Sequence, residues 1–381
     1  MEVQGRQLDR PEIVYSHDKK FTPTEGSWVL TNRTTYSSGS TMSEFHCLYF
    51  NINGNLRPNK EEEIRRGVVA LRDQMYQDVG GIVYDNVTRK KINLTPHCFK
   101  DKTVDGVLVK LREHFENRSQ KSPIKGIHLV VLPDNNMDAK KIYGLVKKLG
   151  DIDFGFHTVS ITPRKLTSPD KGGDIRGNVA LKFNLKAGGI NHLVKSKSMG
   201  FGLPFIGEGD TMVVGYDVSH PTGVGFSKEP GKGSAGEGKK PEDVKPPPPS
   251  FVGLVASVDK YLNNWPAVAW TNKSRVEMLD REKLRNSLKS RLELWKSRNE
   301  KFPGHIIVYR DGVSEGQYKE VLDVEVEAIR EVCKEYGGET PIKLLFIITA
   351  KRHNTRFYLK PKNRGLPVSN PKNGLVVDSK Y

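Results

Sequence analysis

Two aspartates follow short apolar runs that have the length of β-strands. Asp217 ends the run 212–217, and Asp311 ends the run 306–311. A carboxylate at the end of a buried strand is costly unless it is paired or binds a cation. Two such carboxylates on neighbouring strands could hold Mg²⁺ ions about 4 Å apart, the arrangement used for phosphodiester cleavage. The alternative is that each aspartate caps a turn, since Asp311-Gly312 is an ordinary turn dipeptide.

A third carboxylate for such a site is harder to choose from the residues alone. Glu277, Asp280 and Glu282 all stand at the start of a long predicted helix. Acidic residues are favourable in the first turn of any helix, because they oppose its positive end. The pattern therefore leaves all three open.

A cationic cluster is predicted in the first half of the chain. Tyr143 and Lys147 are four residues apart, and Lys182 and Lys186 repeat that spacing. Residues four apart lie on one face of a helix. If the two helices adjoin, an aromatic ring and three ammonium groups converge, which suits a terminal phosphate with a nucleobase stacked on the ring. The alternative is a solvated lysine face.

The overall charge favours a polyanionic partner. Lys and Arg total 61 against 45 Asp and Glu, a formal charge of +16 over 381 residues. Dispersed basic residues bind phosphate backbones by releasing counterions. The apolar runs have strand length, so no membrane span is predicted. Three separate cysteines without a CxxC pair predict neither disulfides nor a zinc site, and the chain is expected to be intracellular, in the cytoplasm.

Elements that could position these residues follow from the apolar pattern. In the first half, apolar runs at 45–50, 127–132 and 155–162 predict strands, and apolar residues at helical spacing predict helices around 64–75 and 142–149. Strand, helix and strand in succession form a βαβ unit of a doubly wound domain. In the second half, strands are predicted at 212–218, 251–258, 267–271, 305–309 and 342–349, with helices around 284–295 and 322–333. That order is typical of a ribonuclease H-like core.

Several longer motifs resemble the signature segments of one family. Residues 216–221 (YDVSHP) and 309–317 (YRDGVSEGQ) resemble two segments of the PIWI domain of eukaryotic Argonaute proteins. Residues 351–356 (KRHNTR) resemble a later PIWI segment, and residues 3–8 (VQGRQL) resemble the linker before the MID domain. The tyrosine and lysine pairs match the family's 5′-phosphate pocket. The chain is thus similar along its length to a MID–PIWI lobe, with the fungal quelling type as candidate subgroup.

The resemblance implies an α/β fold with a Rossmann-like MID domain and a ribonuclease H-like PIWI domain. It implies a linker arm over 1–42, a MID domain over 43–198 and a PIWI domain over 199–381 that is incomplete at its C-terminus. It also implies the function: a small guide RNA is anchored by MID, and PIWI cleaves the paired target RNA, with silencing cofactor proteins as further candidate partners. The implied cofactor is Mg²⁺, with Mn²⁺ as the alternative.

The resemblance also implies a role for each candidate residue. Asp217 and Asp311 would bind the metal, and Glu277 would be the glutamate that completes the catalytic site, which selects it from the three acids above. The 5′ end of the guide would be bound by Tyr143, Lys147, Thr158, Lys182 and Lys186. Tyr143 would stack on the first base, and Thr158 would offer its hydroxyl because Val159 stands where many relatives have a phosphate-binding glutamine.

One departure from the family pattern concerns the fourth metal ligand, usually a histidine beyond a V-V-D segment. Here Val376-Val377-Asp378 is followed by three residues only, and His353 belongs to the earlier KRHNTR segment. An incomplete ligand set predicts weak metal binding. A guide-binding scaffold without slicer activity therefore stays open as the alternative. A third possibility is an unguided ribonuclease H-type nuclease, which the phosphate pocket disfavours because such an enzyme needs no 5′-end anchor.

Overall fold

The chain divides into two compact units in the computed structural model. The described residues are 2–28, 36–40, 42, 44–77, 94–120, 126–167, 175–196, 200–201, 204–221, 247–351, 353–360 and 367–378. The first unit comprises Met1–Ser198 with Lys372–Tyr381, and the second comprises Met199–Pro371. The loop 227–250, predicted to be mobile, lies mostly outside the described residues.

The N-terminal arm, for which the sequence predicted a linker, contains three short strands. They are β1 (Arg6–Gln7), β2 (Glu12–Val14) and β3 (Lys20–Phe21). The reason is an apolar triplet: Ile13, Val14 and Tyr15 are at most 4% exposed. Strand β2 pairs antiparallel with β3 and with a later strand of the same unit, over residues 193–196.

A parallel four-stranded sheet forms the centre of the first unit. Its strands are β4 (Phe45–Ile52), β5 (Leu94–Asp101), β6 (Ile127–Val131) and β7 (His157–Ile161), in the order β5-β4-β6-β7. Strand β8 (Leu193–Ser196) is the partner of β2. Every pairing in the four-stranded sheet is parallel. The predicted βαβ unit is confirmed, and β5 was missed because Pro96, His97 and Lys100 interrupt its apolar pattern.

Helices cover both faces of this sheet, as in a Rossmann-like domain. They are α1 (Pro58–Gln77), α2 (Val104–Ser119), α3 (Asn136–Lys148), α4 (Pro163–Thr167) and α5 (Ile175–Lys186). One apolar core contains residues of α1, α4 and α5, and a separate core contains residues of α2 and α3. The predicted α1 stripe is buried, with each of its members at most 4% exposed: Ile64, Val68, Leu71 and Met75.

The second unit contains a mixed five-stranded sheet with helices packed on it. Its elements are β9 (Gly200–Phe201), α6 (Pro204–Gly207), β10 (Thr211–Ser219), β11 (Ser250–Ala256), β12 (Ala267–Asn272), α7 (Arg281–Asn299), β13 (His305–Asp311), α8 (Tyr318–Glu320), α9 (Glu327–Gly337) and β14 (Lys343–Thr349). The strand order is β12-β11-β10-β13-β14. The pairs β10–β13 and β13–β14 are parallel, and the others are antiparallel. This is the ribonuclease H-like arrangement that the sequence predicted.

The helix after β13 differs from its prediction in one respect. The apolar spacing of Leu322, Val326, Ile329 and Cys333 predicts one buried stripe on this helix. In the structure Leu322 is 49% exposed, and Val321 is buried in its place. The reason is a π-helical turn over Val321–Val326, which changes the face that each residue presents. By contrast, the predicted α7 stripe is buried, with every member at most 1% exposed: Leu284, Leu288, Leu292 and Trp295.

The chain returns to the first unit at its end. Strand β15 (Leu375–Val376) pairs antiparallel with β1, and Arg6 donates to the Asp378 carboxylate at 2.8 Å. The three cysteines are free thiols, as the sequence predicted. In the part of the chain that the structure describes, every helix is too short or too polar to cross a bilayer.

Candidate functional site

The two aspartates lie at the same edge of the second unit's sheet. Strands β10 and β13 run in parallel and are aligned as far as the pair Tyr216 and Arg310. Asp217 and Asp311 are the next residues of the two strands, so they stand side by side at the carboxyl ends. The Asp217 side chain is exposed, and its Oδ1 accepts a hydrogen bond from the Val218 amide at 2.8 Å. The structure therefore brings together the two residues that the sequence singled out.

Asp311 forms an ion pair with a lysine side chain in this structure. The Lys351 ammonium group lies 3.1 Å from Asp311 Oδ2, and the Gly312 amide donates to Oδ1 at 2.9 Å. The bond to Lys351 is the largest cause that holds the pKa of Asp311 below its ordinary value, and the Gly312 amide adds to it. Asp311 is therefore ionised at neutral pH and can bind a positive charge.

Glu277 is the acid, among the three alternatives, that faces the aspartates. Its Oε1 accepts from Arg310 Nη1 at 2.8 Å, and its Oε2 lies 2.9 Å from His220 Nε2. A side-chain Cβ at Gly312 would be 3.0 Å from Glu277 Oε1 and 3.1 Å from Asp217 Oδ1, so both carboxylates converge on the Gly312 backbone. We call this group, Asp217, Glu277 and Asp311, the acidic site.

The other two acids serve the helix that follows. Asp280 is the N-cap of α7 and accepts a hydrogen bond from the Lys283 amide at 2.9 Å. Glu282 lies in the first turn of α7 and is exposed. Both therefore have the helix-terminal role that was the alternative for this group of acids.

Two residues that the sequence did not single out, Arg310 and His220, hold Glu277 in place. Arg310 has no exposed side-chain surface and bonds both to Glu277 and to the fully buried Glu325. His220 bridges Glu277 and Ser250, with Nδ1 at 2.8 Å from the Ser250 hydroxyl. A signal was present for Arg310, because it lies within the run 306–311, and a charged residue in a buried strand needs a buried partner.

The donor set of the acidic site fits a hard divalent cation. Asp217 and Asp311 present carboxylate oxygens, the ligands that Mg²⁺ and Mn²⁺ prefer. The ammonium group of Lys351 already occupies the cation-binding side of Asp311. Among the described residues, three or more His, Cys, Asp or Glu side chains are nowhere grouped in a geometry that could hold a metal ion. Glu277 is bonded to Arg310 and His220 instead. The two aspartates would therefore hold the metal, and Asp311 would exchange its contact with Lys351 for it.

The first unit positions the predicted phosphate-binding residues at one end of its sheet. Lys147 Nζ donates to Thr158 Oγ1 at 3.0 Å, and it lies 3.7 Å from Asp151 Oδ2. Thr158 is in the second position of β7 and only 1% exposed. Its hydroxyl is therefore a fixed partner of the ammonium group, on the strand that neighbours α3 in sequence.

Lys186 of α5 lies within electrostatic reach of Lys147 and of Lys182. Burial is the largest cause that lowers the pKa of Lys186, and the charges of Lys147 and Lys182 lower it further. Tyr143 is one turn before Lys147 on the same face of α3, and its side chain is 46% exposed. The two helices thus bring Lys186 close to both other lysines, with an accessible aromatic ring on the lysine-bearing face of α3. We call Lys147, Thr158, Lys182 and Lys186 the cationic site.

Comparison with known proteins agrees with this architecture. The chain is 28% identical to "Protein argonaute MEL1" of Oryza sativa subsp. japonica over 98% of its length, which is 33% of that relative. It is 26% identical to "Protein argonaute 9" of Arabidopsis thaliana over 99% of its length and 38% of the relative. The chain therefore spans about a third of the length of these curated relatives.

Two solved structures have the same fold. The MID–PIWI domains of the N. crassa QDE-2 AGO match with a TM-score of 0.57 and 29% identity, over 82% of this chain and 75% of that one. Kluyveromyces polysporus Argonaute, solved with a guide RNA, matches with a TM-score of 0.69 and 21% identity, over 100% of this chain and 44% of that one. The family model of the Piwi domain matches residues 127–381, more than half of the 381 residues. The chain belongs to the Piwi-domain family, with the Argonaute proteins as its relatives.

Proposed function

We propose that this chain binds a small guide RNA through its first unit and cleaves the paired target RNA through its second unit. The result is guide-directed RNA silencing. The observation that carries the proposal is the side-by-side placement of Asp217 and Asp311, with the Glu277 carboxylate beside them. The family supports it, because its relatives are Argonautes and the Kluyveromyces structure contains a guide RNA.

The cationic site would anchor the 5′-phosphate of the guide. Three ammonium groups give charge-assisted hydrogen bonds to phosphate oxygens, and the buried Thr158 hydroxyl can donate one more. The exposed Tyr143 ring would stack on the first base, which selects no particular sequence because every base has an aromatic face. Recognition of the target sequence then belongs to base pairing, and the protein reads the phosphates and the shape of the duplex.

The acidic site would cleave the target strand. Asp217 and Asp311 would hold Mg²⁺, or Mn²⁺ as the alternative, and Glu277, held in place by Arg310 and His220, would complete the site beside them. When bound, the ions would supply an activated water and stabilise the negative charge that develops on the oxygens around phosphorus. The water would lose a proton to solvent as its oxygen bonds to phosphorus, and the 3′-oxygen would take up a proton from solvent as its bond to phosphorus breaks. The products are a 3′-hydroxyl and a 5′-phosphate.

The second candidate is a guide-binding scaffold without slicer activity. One observation favours it: the described residues contain no ready group of three metal-binding side chains. The cationic site would work equally well in such a scaffold, so guide binding does not separate the two functions. Silencing cofactor proteins would then be the partners through which a scaffold acts, and we propose the cytoplasm as its location.

Cleavage of a guide-matched RNA separates these functions. The chain is incubated with a 5′-phosphorylated guide, a labelled complementary RNA, and Mg²⁺ or Mn²⁺. We expect cleavage by the wild type and by Asp323→Asn, an exposed control in the same unit, and none by Asp217→Asn or Asp311→Asn. Cleavage rates in the aspartate variants equal to the wild-type rate would reject the slicer function. Guide binding that depends on the 5′-phosphate, without cleavage, would support the scaffold. Cleavage without a guide would support the unguided nuclease.

A further inference from the structure

Glu325 is a buried carboxylate that lies beneath the acidic site. It belongs to the π-helical turn Val321–Val326 and has no exposed surface. Its Oε2 accepts from Arg310 Nε at 3.0 Å and from the Tyr216 hydroxyl at 2.9 Å. Its Oε1 accepts from Arg310 Nη2 at 3.3 Å and from the Leu279 amide at 3.2 Å. Two oxygens therefore accept four hydrogen bonds, which leaves the carboxylate fully satisfied.

The partners of Glu325 share one property: each lies beside a residue of the acidic site. Tyr216 directly precedes Asp217 on β10. Arg310 directly precedes Asp311 on β13, and Leu279 is two residues after Glu277. One carboxylate thus contacts all three chain segments that carry the acidic residues.

This contact pattern fixes side-chain directions as well as positions. Successive residues of a strand point to opposite faces of the sheet. Because the inward Tyr216 and Arg310 side chains are held by Glu325, Asp217 and Asp311 are directed to the other face together. Arg310 also donates to the Glu277 side chain and to its main-chain carbonyl. The Arg310–Glu325 pair therefore also fixes the position of the loop that carries Glu277.

Stability alone is a poor explanation for such an arrangement. A buried ion pair contributes little net free energy compared with apolar residues of similar size, because both charges must leave water. A polar network that is fully bonded does specify a single arrangement of the elements that it joins. The described part of the second unit has an apolar core of its own, built on α7 and α9.

We propose that Glu325 is a positioning residue that sets the relative placement of Asp217, Glu277 and Asp311. Its part in catalysis rests on the slicer function proposed above, whereas its part in holding the three segments does not. Glu325 touches no substrate, and it acts through the residues that carry the acidic site.

The test is Glu325→Gln, with Glu320→Gln as the matched control because Glu320 is exposed and close in sequence. A glutamine keeps the size but replaces one acceptor oxygen by a donor, so the contact to Tyr216 or to Leu279 is lost. We expect the lost contact to speed hydrogen exchange at least about tenfold, either at the Leu279 amide or at the β10 amides around Tyr216, while the amides of α7 exchange as in the wild type. Glu320→Gln should leave all of these rates unchanged. Wild-type exchange at both Leu279 and the β10 amides in Glu325→Gln would overturn the proposal.

Cleavage gives a second readout. We expect Glu325→Gln to lower the maximal single-turnover rate at least about tenfold, with the target concentration for half-maximal rate unchanged. A variant damaged only in overall structure would change both quantities and would also speed exchange in α7, which would count against a positioning role. Hydrogen exchange needs no cleavage, so a wild type that fails to cleave would refute the slicer and leave the exchange test valid.

Tyr216→Phe keeps the test decisive if Glu325→Gln does not fold. This variant removes one hydroxyl and leaves the Arg310–Glu325 pair intact. We expect faster exchange of the β10 amides around Asp217, and a cleavage rate reduced several-fold at a temperature where the variant is still folded, with only a few degrees lost from the unfolding temperature. Unchanged exchange and rate in Tyr216→Phe would overturn the proposal.

Discussion

The Lys147 ammonium group donates a hydrogen bond to the Thr158 hydroxyl, 3.0 Å away, between the end of α3 and the start of β7. Thr158 is 1% exposed, so its position is set by the sheet and does not adapt to the lysine. This contact joins the two elements of the first unit on which the cationic site depends.

We expect Lys147→Ala to weaken binding of a 5′-phosphorylated RNA by about tenfold or more, because a charge-assisted bond to phosphate is lost. Thr158→Val should weaken this binding less than Lys147→Ala does, since it removes only a neutral hydroxyl. The measurement is the ratio of Kd values for RNA with and without the 5′-phosphate. Lys148→Ala is the matched control, because Lys148 bonds to Asp153 at 2.7 Å instead. An unchanged ratio in Lys147→Ala would exclude it from the phosphate site.

Gly312 tests how closely the acidic residues converge. Its φ is +90°, and a Cβ there would lie 3.0 Å from Glu277 Oε1 and 3.1 Å from Asp217 Oδ1. We expect Gly312→Ala to destabilise the second unit by about 1–2 kcal/mol through backbone strain and to displace both carboxylates. The cleavage rate should fall by a larger factor than the loss of folded protein alone would cause.

The matched control for this prediction is Gly316→Ala. A Cβ at Gly316 would have no neighbour within 4 Å, and it lies in the same loop region. The measurement is the thermal unfolding curve together with the cleavage rate of each variant. Identical behaviour of the two variants would contradict the close approach of Glu277 and Asp217.

Arg310→Met removes one partner of a fully buried ion pair. The uncompensated Glu325 charge should lower the free energy of unfolding of the second unit by about 3–5 kcal/mol. Arg281→Met is the comparison, because Arg281 pairs with Glu331 at an exposed position and should cost at most about 1 kcal/mol. The double variant Arg310→Met with Glu325→Met should recover most of the stability.

Cleavage by that double variant gives the sharper result. Glu277 would still lack its guanidinium partner, so we expect stability to return without activity. Urea-dependent hydrogen exchange of the β13 amides measures the stability of this unit alone. A double variant as unstable as Arg310→Met would show that the pair is not coupled as the contacts indicate.

The sequence predicted the elements whose pattern is local and missed those that depend on distant partners. Apolar strands such as 127–132 and the α7 stripe were identified, because burial on one or both faces leaves a periodic trace. Strand β5 was missed because its polar residues break that trace. The fold class followed from the order of the elements.

The acidic and cationic residues were selected by motif, and the structure brings the members of each group together. Glu325 could not be selected in this way. It lies at helical spacing between Val321 and Ile329, and a polar residue on a buried stripe indicates only that some partner exists. Its partners come from β10, β13 and the loop before α7, and only the folded chain shows them.

Four histidines of the first unit form a cluster in which His46 and His128 are buried and His97 and His114 are half-buried. No sequence pattern predicts this cluster, since its members come from β4, β5, α2 and β6. The His46 and His128 rings stack at 4.8 Å, and the His97 and His114 rings lie 4.7 Å apart. Neither ring nitrogen of His128 has a hydrogen-bond partner. Burial is the largest cause that lowers the pKa of His128 to about 2 and that of His97 to about 4.

The direction of these shifts predicts how stability depends on pH. An unfolded histidine has a pKa of about 6.5. Below that pH the unfolded chain binds protons, whereas the folded cluster stays neutral because its pKa values are lower. Stability is therefore complete above about pH 6.5 and falls as the pH drops toward the folded values, by up to about 1.4 kcal/mol per pH unit for each proton. The charged groups that face the cluster are Arg118, which opposes protonation, and Glu44, which bonds to His46.

We expect His128→Phe to flatten this dependence, because a phenyl ring stacks among Phe115 and Phe156 without a site for a proton. Urea-dependent hydrogen exchange of the β6 amides, at about pH 7.5 and about pH 5, measures the stability of the first unit. The wild type should lose stability between these values, and His128→Phe should lose less. His353→Gln, at an exposed position of the second unit, should behave as the wild type. Parallel pH profiles for wild type and His128→Phe would show that His128 is not the group whose protonation unfolds this unit.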